Sequence, residues 1–303
     1  MRFPPVPGHP IQAEELCIQV LGVAQDAGHP QAGCSDSCCA AAWADPSLGH
    51  AIASLAVLDP QSTRAWMIDA TPDFPRQLRV MEDALTGFRG RDLDGIILTH
   101  GHIGHYAGLV HLGREAMGSN RIAVHAMPRL RRFLQESGPW ELLVRLQNID
   151  LLPLEGPEPI QLTEQVTIEA FGVPHRGEYT ETVGIVVQGP GRSVLYLPDV
   201  DQWDRWQSPI EDRIAAVDVA YLDGTFFTDE ELGGRSIEEV PHPRVVDSIQ
   251  RFSSLPSEER DKIRFIHFNH SNPLLRSGSA AEQLVLDAGM HLAREGERVS
   301  LTG

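Results

Sequence analysis

Apolar residues in this chain recur in two rhythms. Short runs rich in Val, Ile and Leu, bounded by turn residues, predict strands at Cys17–Val23, Ile52–Leu58, Ala65–Ile68 and Gly95–Thr99. A second group follows at Val166–Phe171, Thr182–Val187, Ser193–Leu197 and Val217–Leu222. Helical spacing appears between them: Phe74, Leu78, Met81 and Leu85 share one face of a predicted helix over 74–85. Ile122–His125 reads as a strand, and Met127–Ser137 as a helix entered through Pro128. The tail predicts a helix at Pro243–Phe252, a strand at Ile263–Phe268 and a helix at Ala280–Ala288. Arg205–Arg213 and Asp229–Val240 read as surface excursions. Strands, helices, strands, helices fit two mixed sheets packed face to face with helices outside, an α/β αββα sandwich. No period-locked repeat or long linker interrupts it, so residues 1–303 are expected to form a single domain.

Charge narrows the partners. The 303 residues carry 42 acidic and 25 basic side chains, a formal charge of −17. That field repels polyanions, and no run of Lys or Arg offers a phosphate-binding stripe. Nucleic acid is therefore not expected as a partner, and a small-molecule substrate is. No run of eighteen apolar residues suggests a membrane span, and Met1-Arg2-Phe3-Pro4-Pro5 lacks an apolar signal core. The expected location is the cytoplasm, with no membrane partner.

The sharpest chemical signal follows the apolar run Ile96-Ile97-Leu98: His100-Gly101-His102-Ile103-Gly104-His105. Side chains alternate along an extended chain, so His100 and His102 face one way, and His105 can turn back toward them. Neutral imidazole is the commonest side-chain ligand for zinc and similar metals. A second cluster is Cys34-Ser35-Asp36-Ser37-Cys38-Cys39, which holds three of the four cysteines. In a cytosolic protein such bunching points to a metal rather than a disulfide. Cys17, inside an apolar run, reads as an inert core thiol.

The histidine motif resembles the HxHxDH signature of the metallo-β-lactamase superfamily, with Gly104 where that signature has Asp. The remaining ligand positions follow in order: His175 after Val173-Pro174, Asp199 after Val194–Pro198, and His267 after Phe265-Ile266. Within the superfamily the chain is similar to the coenzyme PQQ biosynthesis protein B group (PqqB-like). It is more distantly similar to the carbon–phosphorus lyase phosphodiesterase and tRNase Z branches. Leu21-Gly22 with Pro30 and Cys34, Asp69–Asp73, Leu222–Phe226 and His267–Pro273 carry that likeness. The glycine-rich loop of the group is here Ala24-Gln25-Asp26, which suggests a paralogue with its own substrate.

The resemblance implies a ligand set. His100, His102 and His175 would hold one metal, and His105 and His267 a second, with Asp199 bridging. Gly104 removes a charged oxygen from the second position, which predicts weaker binding there unless Asp26, in a loop bordering the cleft, supplies one. A bound divalent ion lowers the pKa of its water from 15.7 to roughly 7 and supplies hydroxide at neutral pH. The implied activity is metal-dependent hydrolysis of a small ester or phosphodiester. Filled by a single iron, the three-histidine site instead resembles non-haem oxygenases. A binding protein that retains the fold is the third reading. Asp223 and His242 match an acidic residue and a His that serve as proton donor in tRNase Z-like enzymes; read alone, they cap a turn and a helix. The phosphodiesterase branch also carries a structural zinc on early cysteines and a His, which places it here on Cys34, Cys39 and His270. Either Cys38 or Asp36 completes that set, thiolate being the softer ligand. Subunit pairs are common in the superfamily, so a homodimer is compatible with the chain.

Weaker claims attach to other residues. His29, His111, His125 and His291 are ligands by type alone. Asp69 reads as a strand-end carboxylate that holds the ligand loop. Trp140, Trp203 and Trp206 read as packing residues. Asn269, Ser271 and Asn272 are candidates for substrate contact.

Overall fold

The computed structural model describes residues 13–156, 158–232 and 240–303. Two seven-stranded sheets face each other. From edge to edge the first sheet runs Arg298–Ser300, Cys17–Gly22, Ser54–Asp59, Arg64–Ile68, Gly95–Ile97, Ile122–Ala126 and Ile149–Pro153. The second runs His291–Leu292, Ile263–Ile266, Val219–Asp223, Ser193–Leu197, Val183–Gln188, Thr167–Gly172 and Ile160–Gln161. This is the expected αββα sandwich.

Strand alternation builds its two layers of core. Ile18, Val20, Leu55 and Val57 point into the inter-sheet core, against Ile185, Val187 and Tyr196 of the opposite sheet. Their sequence neighbours Cys17, Leu21, Ala56 and Leu58 point outward, under Phe74 and Met81 of the Phe74–Ala84 helix. Burial pushes the Cys17 thiol up to about 11, as befits an inert core residue.

What positions the site is the run of parallel strands in each sheet. Arg64–Ile68 and Gly95–Ile97 are parallel neighbours, as are Ser193–Leu197, Val219–Asp223 and Ile263–Ile266. Their C-terminal ends deliver Asp69, His100, Asp199, Asp223 and His267 to one rim of the sandwich. Carboxyl ends of parallel strands are where side chains can converge without a ladder occupying the space.

Two sequence expectations are corrected. Arg205–Arg213 is not wholly a surface excursion, because the Ile210–Ala215 helix buries Ile210 and Ile214 in the larger of the two apolar clusters. The helix expected from Pro243 begins at Val245, because Arg244 remains extended ahead of it. Most of the Asp229–Val240 excursion, residues 233–239, lies outside the described residues. Among the described residues no helix is long and apolar enough to cross a membrane.

Candidate metal centre

All six ligand positions expected from the superfamily, together with Asp26, reach the rim. His100, His102 and His175 form one group, and Asp26, His105, Asp199 and His267 another. His102 Nδ1 lies 3.2 Å from His175 Nε2. Asp199 stands between the groups: Oδ2 is 3.0 Å from His105 Nε2, 3.3 Å from His267 Nε2 and 3.6 Å from His100 Nε2. Its Oδ1 lies 3.6 Å from His175 Nε2.

Asp26 stands where the sequence reading offered it, in place of the oxygen absent at residue 104. Its Oδ1 sits 3.0 Å from His105 Nε2 and 3.5 Å from His267 Nε2. A Cβ built on Gly104 would fall 2.3 Å from that same oxygen. The carboxylate missing from the histidine motif is present in space, delivered by the loop after the first strand.

Four imidazoles are held at Nδ1 from behind, whereas His102 turns Nδ1 inward and sets Nε2 3.5 Å from Glu178 Oε2. His105 Nδ1 donates to Asp69 Oδ2 at 2.8 Å. His100 Nδ1 lies 3.0 Å from Thr99 Oγ1, which in turn donates to Asp69. The arrangement repeats in the second sheet, where His267 Nδ1 lies 3.0 Å from Thr225 Oγ1 and that hydroxyl donates to Asp223 Oδ1 at 2.7 Å. His175 Nδ1 faces Asp201 Oδ1 at 3.3 Å. With Nδ1 engaged, Nε2 is the nitrogen turned into the site, the tautomer a metal ligand needs. Asp69 and His267 themselves have positive φ, 66° and 68°. Non-glycine residues in that region cost on the order of 1–3 kcal/mol each, a strain that concentrates at functional sites.

Spacing and chemistry fit a cation. Ligands at roughly 2.0–2.1 Å from a tetrahedral zinc are themselves separated by about 3.3 Å. The 3.0, 3.0, 3.3 and 3.5 Å separations around Asp26, His105, Asp199 and His267 bracket that value. Asp26 Oδ1, His100 Nε2, His105 Nε2, Asp199 Oδ2 and His267 Nε2 are buried without a hydrogen-bond partner. Orphaned donors and acceptors aimed at one point are costly unless an ion satisfies them.

The charges are strongly linked. Burial pushes the His105 imidazole down, yet Asp69, Asp199 and Asp26 outweigh it and hold the group well above its ordinary pKa. Burial raises Asp199, but His267, His105, His175 and His100 hold its carboxyl well below the usual range. Asp26 behaves likewise, its burial outweighed by His105 and His267. His100 is depressed by burial and by neighbouring His105.

The two predicted proton-transfer residues meet beside this centre. His242 Nδ1 lies 2.8 Å from Asp223 Oδ2 and 3.7 Å from Asp199 Oδ1. Burial opposes protonation of His242, but Asp223 prevails and raises its pKa. Asp223 also accepts from the backbone N–H of Val200 and of Thr225, so it is fixed from three directions.

A separate sulfur-rich group joins Cys34, Cys38, Cys39 and His270. Cys34 Sγ is 3.6 Å from Cys38 Sγ, and His270 Nδ1 is 3.6 Å from Cys38 Sγ and 3.4 Å from Cys39 Sγ. Zinc–sulfur bonds of about 2.3 Å predict separations of roughly 3.6–3.8 Å in such a set. Asp36 stands outside the group, as the residue preceding the Ser37–Ala44 helix that carries Cys38 and Cys39. That leaves the all-thiolate alternative.

Among the weaker claims, Asn272 is a brace rather than a substrate contact. Its Nδ2 donates to the Gly224 and Thr225 carbonyls, and its Oδ1 accepts from Leu274 N. Trp203 is buried, with Nε1 donating to Ser248, and His111 stacks on Phe74. Thr99, Thr225 and Asp201 escaped the sequence reading; each lies within two residues of a ligand or of Asp223, which is the only signal they carry.

Comparison with known proteins agrees with this geometry. The beta-lactamase superfamily domain model matches residues 64–272. Coenzyme PQQ synthesis protein B of Methylobacterium nodulans is 29% identical over 313 residues, spanning 93% of this chain and 99% of that protein. The crystal structure of zinc-bound PqqB from Methylobacterium extorquens superposes with a TM-score of 0.78 at 22% identity, covering 94% of this chain and 100% of that one. A diphosphatase from the PhnP family superposes with a TM-score of 0.64 at 23% identity, covering 94% and 96%. From its matched domain, its sandwich and the order of its rim residues, the chain belongs to the beta-lactamase superfamily, with the metallo-β-lactamase fold and homology to coenzyme PQQ synthesis protein B.

Proposed function

We propose that this protein is a metal-dependent hydrolase of a small ester or phosphodiester, with two catalytic metal positions. His100, His102 and His175 hold one, Asp26, His105 and His267 the other, and Asp199 bridges them. A structural zinc sits on Cys34, Cys38, Cys39 and His270. The observation that carries the reading is the set of buried, unpartnered ligand atoms converging at ion-binding distances.

When bound, the divalent ions polarise the scissile ester and ionise water at neutral pH. The chain supplies the remainder. His242, engaged at Nδ1 by Asp223, has Nε2 left to give a proton to the leaving oxygen, and the Asp223 carboxylate favours its protonated form. Arg176, exposed and next to His175, bears electrostatically on His102 and His242 as well as on Glu178. A cation at that place in a chain of net charge −17 favours an anionic substrate.

The mononuclear iron oxygenase reading drew on the missing carboxylate at residue 104, and Asp26 fills that place. Two metal positions and hydrolysis are therefore favoured over it. The test is turnover of bis(4-nitrophenyl) phosphate and 4-nitrophenyl acetate by zinc-loaded protein under anaerobic conditions. Hydrolysis of either, lost by about 10³-fold in Asp199→Asn, supports the proposal. No hydrolysis by the zinc form, with oxygen consumption by the iron form, overturns it.

A further inference from the structure

The loop that carries Asp26 is fastened twice to the segment that carries His267. Near its start, Gln25 N donates to the Phe268 carbonyl and Phe268 N donates to the Val23 carbonyl, both at 2.8 Å. Ala24 makes a parallel bridge to Phe268 and another to Ile52. At its far end, Cys34, Cys38 and Cys39 meet His270, three residues beyond His267. Between these fastenings the loop turns sharply, with Gly28 N donating to the Gln25 carbonyl and Gly28 at φ 71°. His29 pairs with His50 through two backbone hydrogen bonds, and beyond it Gln31 N donates to Cys39 Sγ while Ala32, Gly33 and Ser35 are exposed.

Asp26 also displaces what would stand in its way. A Cβ on residue 104 would lie 2.3 Å from Asp26 Oδ1 and 2.5 Å from Asp26 Cα. No side chain fits at residue 104 while the loop is seated, so the seated loop requires Gly104.

We infer that the cysteine site controls the catalytic centre: metal on Cys34, Cys38, Cys39 and His270 seats the Asp26 loop, and the seated loop completes the second catalytic metal position. The inference rests on the metal assignments of the proposed hydrolase and goes beyond them by coupling the two centres. The carboxylate of the usual motif would sit on the Ile103–Tyr106 helix, beside His105 and independent of any cysteine. Here the same charge comes from a loop whose far anchor is a metal site. The His100–His102–His175 position takes no ligand from that loop and does not share the dependence.

Zinc per chain, measured after equilibrium dialysis, tests the coupling without reference to activity. The intact protein is expected to hold three zinc ions, and Asp26→Asn two. Replacing Cys38 and Cys39 by Ser is expected to leave one, because the second catalytic position weakens about 10- to 100-fold along with loss of the cysteine site. Adding Asp26→Asn to that background is then expected to remove nothing further. Two zinc ions in the cysteine variant, falling to one with Asp26→Asn, would make the sites additive and overturn the inference. Fewer than three in the intact protein, with none on the histidines, would instead sink the metal assignments themselves. If the cysteine variant does not fold, mercurial titration of the intact protein serves: two zinc ions are expected to leave together, and release of one alone contradicts the coupling.

Discussion

Asp69 shows how much of the site depends on a residue that faces no substrate. Fully buried, it accepts from Thr99 N at 2.8 Å, from Thr99 Oγ1 at 2.9 Å and from His105 Nδ1 at 2.8 Å. One carboxylate thus fixes the tautomers of two ligands in different metal groups. Asn tolerates the left-handed backbone at this position, so Asp69→Asn changes charge and acceptor capacity while keeping shape. The expected result is a 10- to 100-fold loss of zinc affinity at the histidine centre, read by competition with a chromophoric chelator, with an unchanged far-ultraviolet spectrum. The candidate ligands His100, His102 and His105 were legible from their spacing at a strand end, and His175, Asp199 and His267 through the resemblance to the superfamily. Asp26 was legible only as an alternative, since an Asp before Gly in a loop is ordinarily a turn residue. Its role depends on a close approach to Gly104 across 77 intervening positions that no local pattern encodes.

Among elements, long periodic segments matched expectation closely and short ones did not. Ser193–Leu197 has the predicted bounds, and the Phe74–Ala84 helix ends one residue early. The Ser37–Ala44 helix went unseen because its Cys-Cys-Ala-Ala-Ala run lacks an amphipathic rhythm. The Ile210–Ala215 helix is too short to show one, yet Ile214 is fully buried. Ile214→Ala is expected to cost about 2–4 kcal/mol in chemical denaturation. Loss of well under 1 kcal/mol would place that helix outside the core. A second element-scale expectation concerns the Asp229–Leu232 turn. Burial raises Glu231 to about 7, against partial relief from the N–H groups of Thr228 and Phe227. A folded-state pKa above the unfolded value means the native state binds more protons between pH 4.5 and 7, so stability falls as pH rises through that window. Glu231→Gln keeps an acceptor oxygen and should flatten that slope, leaving the variant more stable than the parent at pH 8. An unchanged slope would contradict this.

For the whole molecule, the two sheets are joined at the rim as well as through their apolar faces. His100 and His105 follow the first sheet; His175, Asp199 and His267 follow strands of the second. A metal ion that binds both sets therefore binds only the assembled sandwich, and its binding energy adds to folding stability. Chelation is expected to lower the midpoint of thermal unfolding, with recovery on zinc addition; equal midpoints with and without chelator would contradict this. The alternation of strand and helix patterns fitted two sheets with helices outside, and the resemblance to the superfamily identified that arrangement as the αββα sandwich. The pairing of the cysteine loop with the segment after His267 was implied by resemblance alone. It joins residues 34–39 to 270 through side chains rather than periodicity.

The central claim is that the rim holds metal ions on the histidine–aspartate set. Anomalous diffraction at the zinc and iron edges, from crystals of protein purified without added metal, tests it most directly. The account predicts two peaks bridged by Asp199, one among His100, His102 and His175 and one among Asp26, His105 and His267, with a third at the cysteines. A peak at the cysteines alone would contradict it.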